Sequence, residues 1–166
     1  PDSALSLEDK EALEQVLPSG QLFDSPYSFY LYIATLFKSS TLIYHEVLFT
    51  QHALSCVPPN VDTSPLWHTV VKGYTELGMY EDAYAAWLSI PSESQKRESI
   101  SQIVYKMCEH KQVDQLMTFN FAGLADEVQD ALAFKARNVD PRSQPRYSHI
   151  LYSWYLGKGD YRKVWD

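Results

Sequence analysis

The chain has 166 residues, 45% of them hydrophobic and 14% aromatic, which favours one globular domain and argues against a disordered chain. Its formal net charge is −7, with 8 acidic and 2 basic residues in 1–66 and 13 acidic and 12 basic residues in 67–166. Neither half has the basic surface that nucleic-acid binding requires, so direct contact with nucleic acid is not expected. The acidic first part could contact a basic protein, although a solvated acidic face is the preferred interpretation.

The apolar segments are short. The longest nearly apolar run, Tyr27–Phe37, has 11 residues, and a membrane-spanning helix needs roughly 20. The run also lacks the Lys/Arg face of a helix that lies on a membrane surface. No signal peptide is recognised, and no transmembrane segment is predicted. The two cysteines, Cys56 and Cys108, fall on apolar helix faces and are expected to be buried thiols of a reducing compartment.

Helix-start and helix-stop residues define the elements of the first part of the chain. Ser6 begins a predicted helix that Pro18–Gly20 ends. Ser25–Pro26 begins the next helix, with Ser as the N-cap and Pro at the first helical position. A third helix is predicted over 41–56.

A loop is predicted over 57–64, where the sequence is VPPNVDTS. Ser64 is the predicted N-cap of the following helix. We expect 1–166 to be a single α-helical domain, with possible sub-blocks 1–57 and 65–166 joined by the loop. The chain begins at Pro1 and stops within a predicted helix, so it is expected to be a fragment of a longer chain.

The stretch 67–91 predicts two antiparallel helices joined by a tight turn. Six residues at helical spacing define this hairpin: Trp67, Tyr74, Gly78, Tyr80, Ala83 and Trp87. Gly78 ends the first helix, because Gly enters the left-handed conformation without a steric cost. Ala83 is predicted to be the small residue that allows the helices to approach, with the aromatic residues packed around it.

The hairpin resembles a degenerate tetratricopeptide unit, although a hairpin of an ordinary helical bundle has a similar pattern. Three residues repeat its turn 81 positions later: Tyr155, Gly159 and Tyr161. That offset is not a multiple of the tetratricopeptide period. The predicted fold is therefore all-α, an irregular α-solenoid of stacked antiparallel helix pairs.

The second part of the chain continues as predicted helices, and no stretch alternates with period 2 as a strand does. Ser92 begins a long helix, whose inner face consists of Ile100, Ile103, Val104, Met107 and Cys108. Further helices are predicted over 114–118, 124–138 and 147–157. An irregular aromatic connection is predicted at 119–123 and a loop at 139–145.

No sequence signature of an enzyme or of a phosphate-binding loop occurs, so no catalytic residue and no cofactor is predicted. His45, His52 and Cys56 share a helix, but a metal site usually has a tighter ligand pair, and packing is the preferred interpretation. Cys108 and His110 are close in sequence, without a catalytic signature around them. Glu81 and Asp82 begin a helix, where acidic residues stabilise the helix dipole.

From Leu77 onward, a series of short phrases resembles the helical region of the nucleoporin 120/160 family. The phrases are LGMYEDAYAAWLSIP at 77–91, CE at 108–109, LMTFNF at 116–121, GLADEV at 123–128, KAR at 135–137 and DYRK at 160–163. Asn120 stands where a proline is expected. Residues 1–66 are similar to the family only in helical character and acidity.

The resemblance implies a structural subunit of the Y-shaped complex in the outer rings of the nuclear pore, at the nuclear envelope. It implies a β-propeller upstream in the full protein, contacts with other Y-complex subunits in a large hetero-oligomer, and support of mRNA export and protein import. It implies no cofactor and no active site.

The alternative is a tetratricopeptide-like adaptor that binds short peptides in a concave groove, and an enzyme is a distant third. A groove of that kind needs exposed Lys, Arg or Asn on its inner helices. The predicted inner faces carry Tyr, Trp and Ile instead, which favours packing between helices.

Overall fold

The computed structural model describes residues 23–159 together with Glu8, and the regular elements in that part of the chain are all helical. They are α1 (Pro26–Ser39), α2 (Ile43–Ser55), α3 (Ser64–Glu76), α4 (Tyr80–Leu88), α5 (Glu93–Glu109), α6 (Val113–Thr118), a 3₁₀ turn (Phe121–Gly123), α7 (Ala125–Asn138) and α8 (Tyr147–Gly157). The helix predicted from Ser6 and the one predicted after Gly159 lie outside the described residues. None of the described helices is both long and apolar enough to cross a membrane.

Consecutive helices pack as pairs, and each pair contacts the next one. α1 packs on α2, α3 on α4 and α7 on α8, while α2 also contacts α3. The 17-residue helix α5 contacts α3, α4 and α7, so it links the central hairpin to the last pair. The predicted all-α stack of helix pairs is confirmed.

The core has two clusters that meet at α2. The smaller cluster consists of Ile33, Ala34, Phe37 and Phe49, from α1 and α2. Val47, two residues before Phe49 on α2, belongs to the larger cluster, which continues into α8. α2 therefore contributes to both clusters. The sub-blocks 1–57 and 65–166 stay a prediction.

Two predicted helix starts are confirmed by their capping hydrogen bonds. The Ser25 hydroxyl accepts a hydrogen bond from the backbone N–H of Ser28 at 3.2 Å. The Ser92 hydroxyl accepts one from the backbone N–H of Gln95 at 3.5 Å. Each satisfies one of the N–H groups that the first turn of a helix leaves without a partner.

The predicted N-cap of α3 is wrong by one position. Ser64 is the first residue of α3, and Thr63 precedes it. The Asp62 carboxylate accepts a hydrogen bond from the backbone N–H of Ser64 at 3.0 Å, and that bond lowers the pKa of Asp62. Asp62 thus satisfies the N–H of the first residue of α3, and the N-cap residue Thr63 makes no side-chain capping bond.

The turn between α3 and α4 is closed by the left-handed conformation of Gly78, whose φ is +74°. The N–H of Met79 donates to the carbonyl of Tyr74 at 2.9 Å, and the N–H of Gly78 donates to that of Thr75 at 3.1 Å. This pair of bonds is the Schellman motif, which satisfies the last carbonyls of a helix.

Substitution of Gly78 by valine is expected to lower the free energy of unfolding by about 1–2 kcal/mol, because a β-branched residue is strained at positive φ. A Cβ at this position has no neighbour within 4 Å, so the cost comes from the backbone alone. Gly78→Asn is the matched control, since Asn tolerates the left-handed region, and it should cost less. Urea unfolding of the two variants measures the difference, and equal midpoints would contradict the proposed strain.

Candidate functional site

The six residues predicted for the central hairpin lie together on α3, on α4 and in the turn between them. Ala83 and Trp87 have no exposed surface, and Tyr80 is 5% exposed. Trp67 and Tyr74, on α3, are half-buried. The hairpin therefore has a buried side and a side on which aromatic residues reach the surface.

Two of these aromatic side chains donate hydrogen bonds to helices on either side of the hairpin. The Tyr74 hydroxyl donates to Oε1 of Gln51 on α2, at 3.2 Å. Nε1 of Trp87 donates to the backbone carbonyl of Lys96 on α5, at 2.9 Å. Because one bond reaches the helix before the hairpin and the other reaches the helix after it, they fix the hairpin against both neighbours.

His110 also belongs to the contacts of the hairpin. Its Nδ1 is hydrogen-bonded to the hydroxyl of Tyr80, on α4. Burial raises the pKa of the Cys108 thiol from 9.0 to about 12, so the thiol stays protonated at neutral pH. Since a nucleophilic cysteine acts as the thiolate, the structure does not support a Cys108–His110 nucleophile pair.

Cys108 and Tyr147 make the stability of the fold sensitive to pH in the alkaline range. Burial raises the pKa of Cys108 from 9.0 and that of Tyr147 from 10.0, each to about 12. Between these values the unfolded chain loses its protons before the folded chain does, so stability falls as pH rises.

We therefore expect the free energy of unfolding to decrease from about pH 9 towards pH 12. Denaturant unfolding at several pH values measures this slope. Cys108→Ala and Tyr147→Phe should each make the slope shallower, whatever they do to the stability at pH 7. An unchanged slope in the double variant would show that other groups control the alkaline loss.

The aromatic connection at 119–123 packs against α4. The rings of Tyr84 and Phe119 are parallel, with centroids 4.4 Å apart, and Trp87 meets Phe121 edge-on at 5.3 Å. The backbone N–H of Phe121 donates to the Tyr84 hydroxyl at 3.0 Å. The irregular segment was predicted, but its partner Tyr84 was not among the predicted site residues.

The predicted second copy of the turn has the same backbone conformation as the first. Gly159 has φ +72°, close to the +74° of Gly78. In both turns the glycine N–H donates to the carbonyl three residues earlier, at 3.1 Å. Tyr155 and Gly159 lie at the end of α8, apart from the central hairpin, and Tyr161 lies outside the described residues.

Gly73, where α2 and α3 come close, was not among the predicted site residues. A Cβ at Gly73 would overlap Cγ2 of Val47 and would lie 3.4 Å from Cγ2 of Ile43. Gly73 is inside α3, where a glycine costs about 1 kcal/mol relative to alanine. That cost is the signal that could have identified it as a packing position.

The two histidines of α2 pack against aromatic rings. His45 stacks on Phe37, with centroids 4.9 Å apart, and His52 stacks on Tyr30 at 5.2 Å. Over residues 23–159, no group of three His, Cys, Asp or Glu side chains is arranged to hold a metal ion. The contacts favour the packing interpretation of these histidines.

Two surface cavities flank the hairpin. The larger, about 420 Å³, is lined by side chains of both charges, Lys38, Lys72, Glu46 and Glu76. Burial raises the pKa of Glu46. The smaller, about 230 Å³, is lined by Gln51 of α2, Trp67 and Tyr74 of α3, and Asp82 with the small residues of α4.

Helix pairs stacked around a shared core are typical of a helical-repeat protein. In this chain the residues of the central hairpin contact the neighbouring helices. The model of one family, nucleoporin Nup120, HEAT repeats, matches residues 1–109. The chain belongs to this family of nucleoporins. HEAT repeats, like the tetratricopeptide repeats that the hairpin resembles, are built from antiparallel helices.

The match corrects one expectation about where the likeness lies. Residues 1–66 were expected to be similar only in helical character and acidity, but they lie within the matched range. The match ends at Glu109, before most of the phrases on which the resemblance was based.

Individual relatives agree with the family assignment. The chain is 25% identical over 137 residues to a fruit-fly protein, nuclear pore complex protein Nup160 homolog, covering 82% of this chain and 10% of the relative. It is 31% identical over 95 residues to mouse Nup160, covering 57% and 7%. It is 32% identical over 89 residues to nucleoporin NUP120 of Chaetomium thermophilum, covering 53% and 7%.

The chain thus spans about a tenth or less of the length of these relatives. Their names place them in the nuclear pore complex, so the expected localisation is confirmed at the level of the family.

Proposed function

We propose that this segment is a rigid spacer and docking element within a scaffold subunit of the nuclear pore's outer ring, the Y-complex. It acts through protein contacts alone, without an active site or a cofactor. Its partners are other Y-complex nucleoporins in a large hetero-oligomer, through which it supports mRNA export and protein import.

The observation that carries the proposal is the continuity of packing across the hairpin. Tyr74 donates a hydrogen bond to Gln51 of α2, and Trp87 donates one to the Lys96 carbonyl of α5. The pair α3–α4 is therefore fixed to the elements before and after it. α5 in turn packs on α7, to which Arg97 and Glu127 add an ion pair at 3.8 Å. A chain connected in this way holds its helices at fixed positions relative to one another, as a rigid spacer must.

The charge of the chain supports protein contacts over nucleic-acid contacts. The net charge is −7, and phosphate binding needs an excess of Lys and Arg. The inner positions of the hairpin are occupied by Ala83 and Trp87, which are fully buried and not available to a peptide. This favours a scaffold over a peptide-binding adaptor.

The test is to tag the full-length protein, image it and identify the proteins that co-purify with it. We expect a nuclear-rim signal that survives nuclease treatment, together with the other Y-complex subunits. Recovery of one peptide-bearing client, without a signal at the nuclear envelope, would support the adaptor function instead.

A variant of the hairpin tests whether its packing is needed. Ala83 has no exposed surface, and Ala83→Leu should cost about 1–3 kcal/mol through overpacking and weaken the rim signal. Glu81→Leu is the control, because Glu81 is exposed on the same helix and lines neither cavity. Equal rim signals for the two variants would contradict a role for the packed hairpin.

A further inference from the structure

We propose that the smaller cavity, between α2, α3 and α4, binds the guanidinium group of an arginine side chain from another protein. This arginine would belong to one partner of the proposed scaffold. The inference rests on the proposed function, which makes that partner a protein of the same assembly.

The walls of the cavity suit a flat cation. Trp67 and Tyr74 lie two turns apart on α3 and are half-buried, and both line the cavity. The hydrogen bond from Tyr74 to Gln51, at 3.2 Å, holds the tyrosine in place. Aromatic faces attract cations, and a guanidinium group stacks on them as a plane.

The charge in the cavity has one sign. Asp82 is the only charged residue that lines it, with Gln51, Trp67, Tyr74, Ala85, Ala86 and Ser89 as the others. Asp82 is exposed, and across residues 23–159 the ion pairs between side chains join other residues. Its carboxylate therefore faces the cavity without a basic partner from the described part of the chain.

Arginine fits this site better than lysine does. A guanidinium group can stack on an aromatic ring while it donates two parallel hydrogen bonds to one carboxylate, whereas an ammonium group is a compact, strongly hydrated point charge. The volume of about 230 Å³ accommodates one long side chain. The larger cavity differs, because its two lysines and two glutamates balance and select no partner charge.

The first experiment measures the site with a small probe. The ¹⁵N-labelled protein is titrated with Nα-acetyl-arginine methylamide, while the indole N–H signal of Trp67 is followed by NMR. The neutral citrulline analogue, which has almost the same shape, is the matched ligand. We expect a saturating shift with arginine, a smaller one with the lysine analogue and none with citrulline.

Asp82→Asn should weaken binding of the arginine probe about tenfold, the loss expected for one charge-assisted hydrogen bond. Glu81→Gln is the matched control, because Glu81 is an exposed acid beside Asp82 that does not line the cavity. Equal affinity in wild type and Asp82→Asn, or equal binding of citrulline, would overturn the proposal.

The second experiment identifies the arginine in the assembly. A photo-crosslinking amino acid replaces Ser89, which is exposed at the rim of the cavity, in the tagged full-length protein. We expect a crosslinked peptide that contains arginine. Asp82→Arg should abolish the crosslink, and Arg→Asp at the identified position of the partner should restore it.

The outcomes separate this inference from the proposed function. If the protein is at the nuclear rim with its partners, but the crosslinked peptide lacks arginine or no peptide is crosslinked, the inference alone is wrong. If the unmodified protein is absent from the rim, the proposed function is wrong, whatever the NMR titration shows.

Discussion

Replacement of Trp87 by alanine is expected to lower the free energy of unfolding by about 3–5 kcal/mol, the range for truncation of a buried aromatic residue. Trp87 has no exposed surface, and its ring meets those of Tyr84 and Phe121. The substitution also removes the hydrogen bond that Nε1 donates to the Lys96 carbonyl, which then keeps the one from the Ser99 hydroxyl at 3.1 Å. Packing and hydrogen bonding are lost together at the place where α4, α5 and the aromatic connection meet.

Two further variants test how much of this loss comes from packing and how much from the hydrogen bond. Trp87→Phe keeps an aromatic ring but removes Nε1, so it should cost clearly less than Trp87→Ala. Phe134→Ala is the surface control, since Phe134 is 53% exposed, and its effect should stay within about 0.5 kcal/mol. Denaturant unfolding measures all three. A similar loss for Phe134→Ala and Trp87→Ala would contradict the central place given to Trp87 in the core.

The fold was accessible from the sequence because its signals are local. The inner face of α5, with Ile100, Ile103 and Met107, is set by the 3.6-residue period within one helix. The turn at Gly78 is likewise decided by the conformational preference of one residue. The one-residue error at the start of α3 arose because Asp62, Ser64 and Thr63 are all good caps, and only the folded backbone selects among them.

The contacts of the site depend on pairs that are remote in sequence. Tyr84 meets the N–H of Phe121 37 positions away, and Tyr74 meets Gln51 across 23. No period within a helix specifies such pairs. Asp82 was interpreted as a helix-dipole residue, which its position in the first turn of α4 supports. Asp82 and Trp67 come to line one cavity only when α3 and α4 pack against each other.

Gly73 is the position where the missing side chain matters most for the stack, and Gly73→Ala is expected to destabilise the protein by about 1–3 kcal/mol through overpacking. Alanine is the better helix former by about 1 kcal/mol, so propensity alone predicts the opposite sign. The steric term should prevail because the new Cβ meets Val47, which is 1% exposed and has a stiff, β-branched side chain.

A double-mutant cycle assigns this loss to one contact. Val47→Ala removes the methyl group that Gly73→Ala would overlap, so the double variant should lose less stability than the sum of the two single variants. Gly157→Ala is the helical control, because a Cβ at Gly157 has no neighbour within 4 Å, and it should be neutral or stabilising. If the losses of stability at Gly73 and Val47 simply add, the overlap with Val47 is not the cause of the loss. In that case α2 and α3 move apart to make room for the new Cβ. If instead Gly73→Ala stabilises the protein as Gly157→Ala does, the close approach of α2 and α3 is not what selects glycine there.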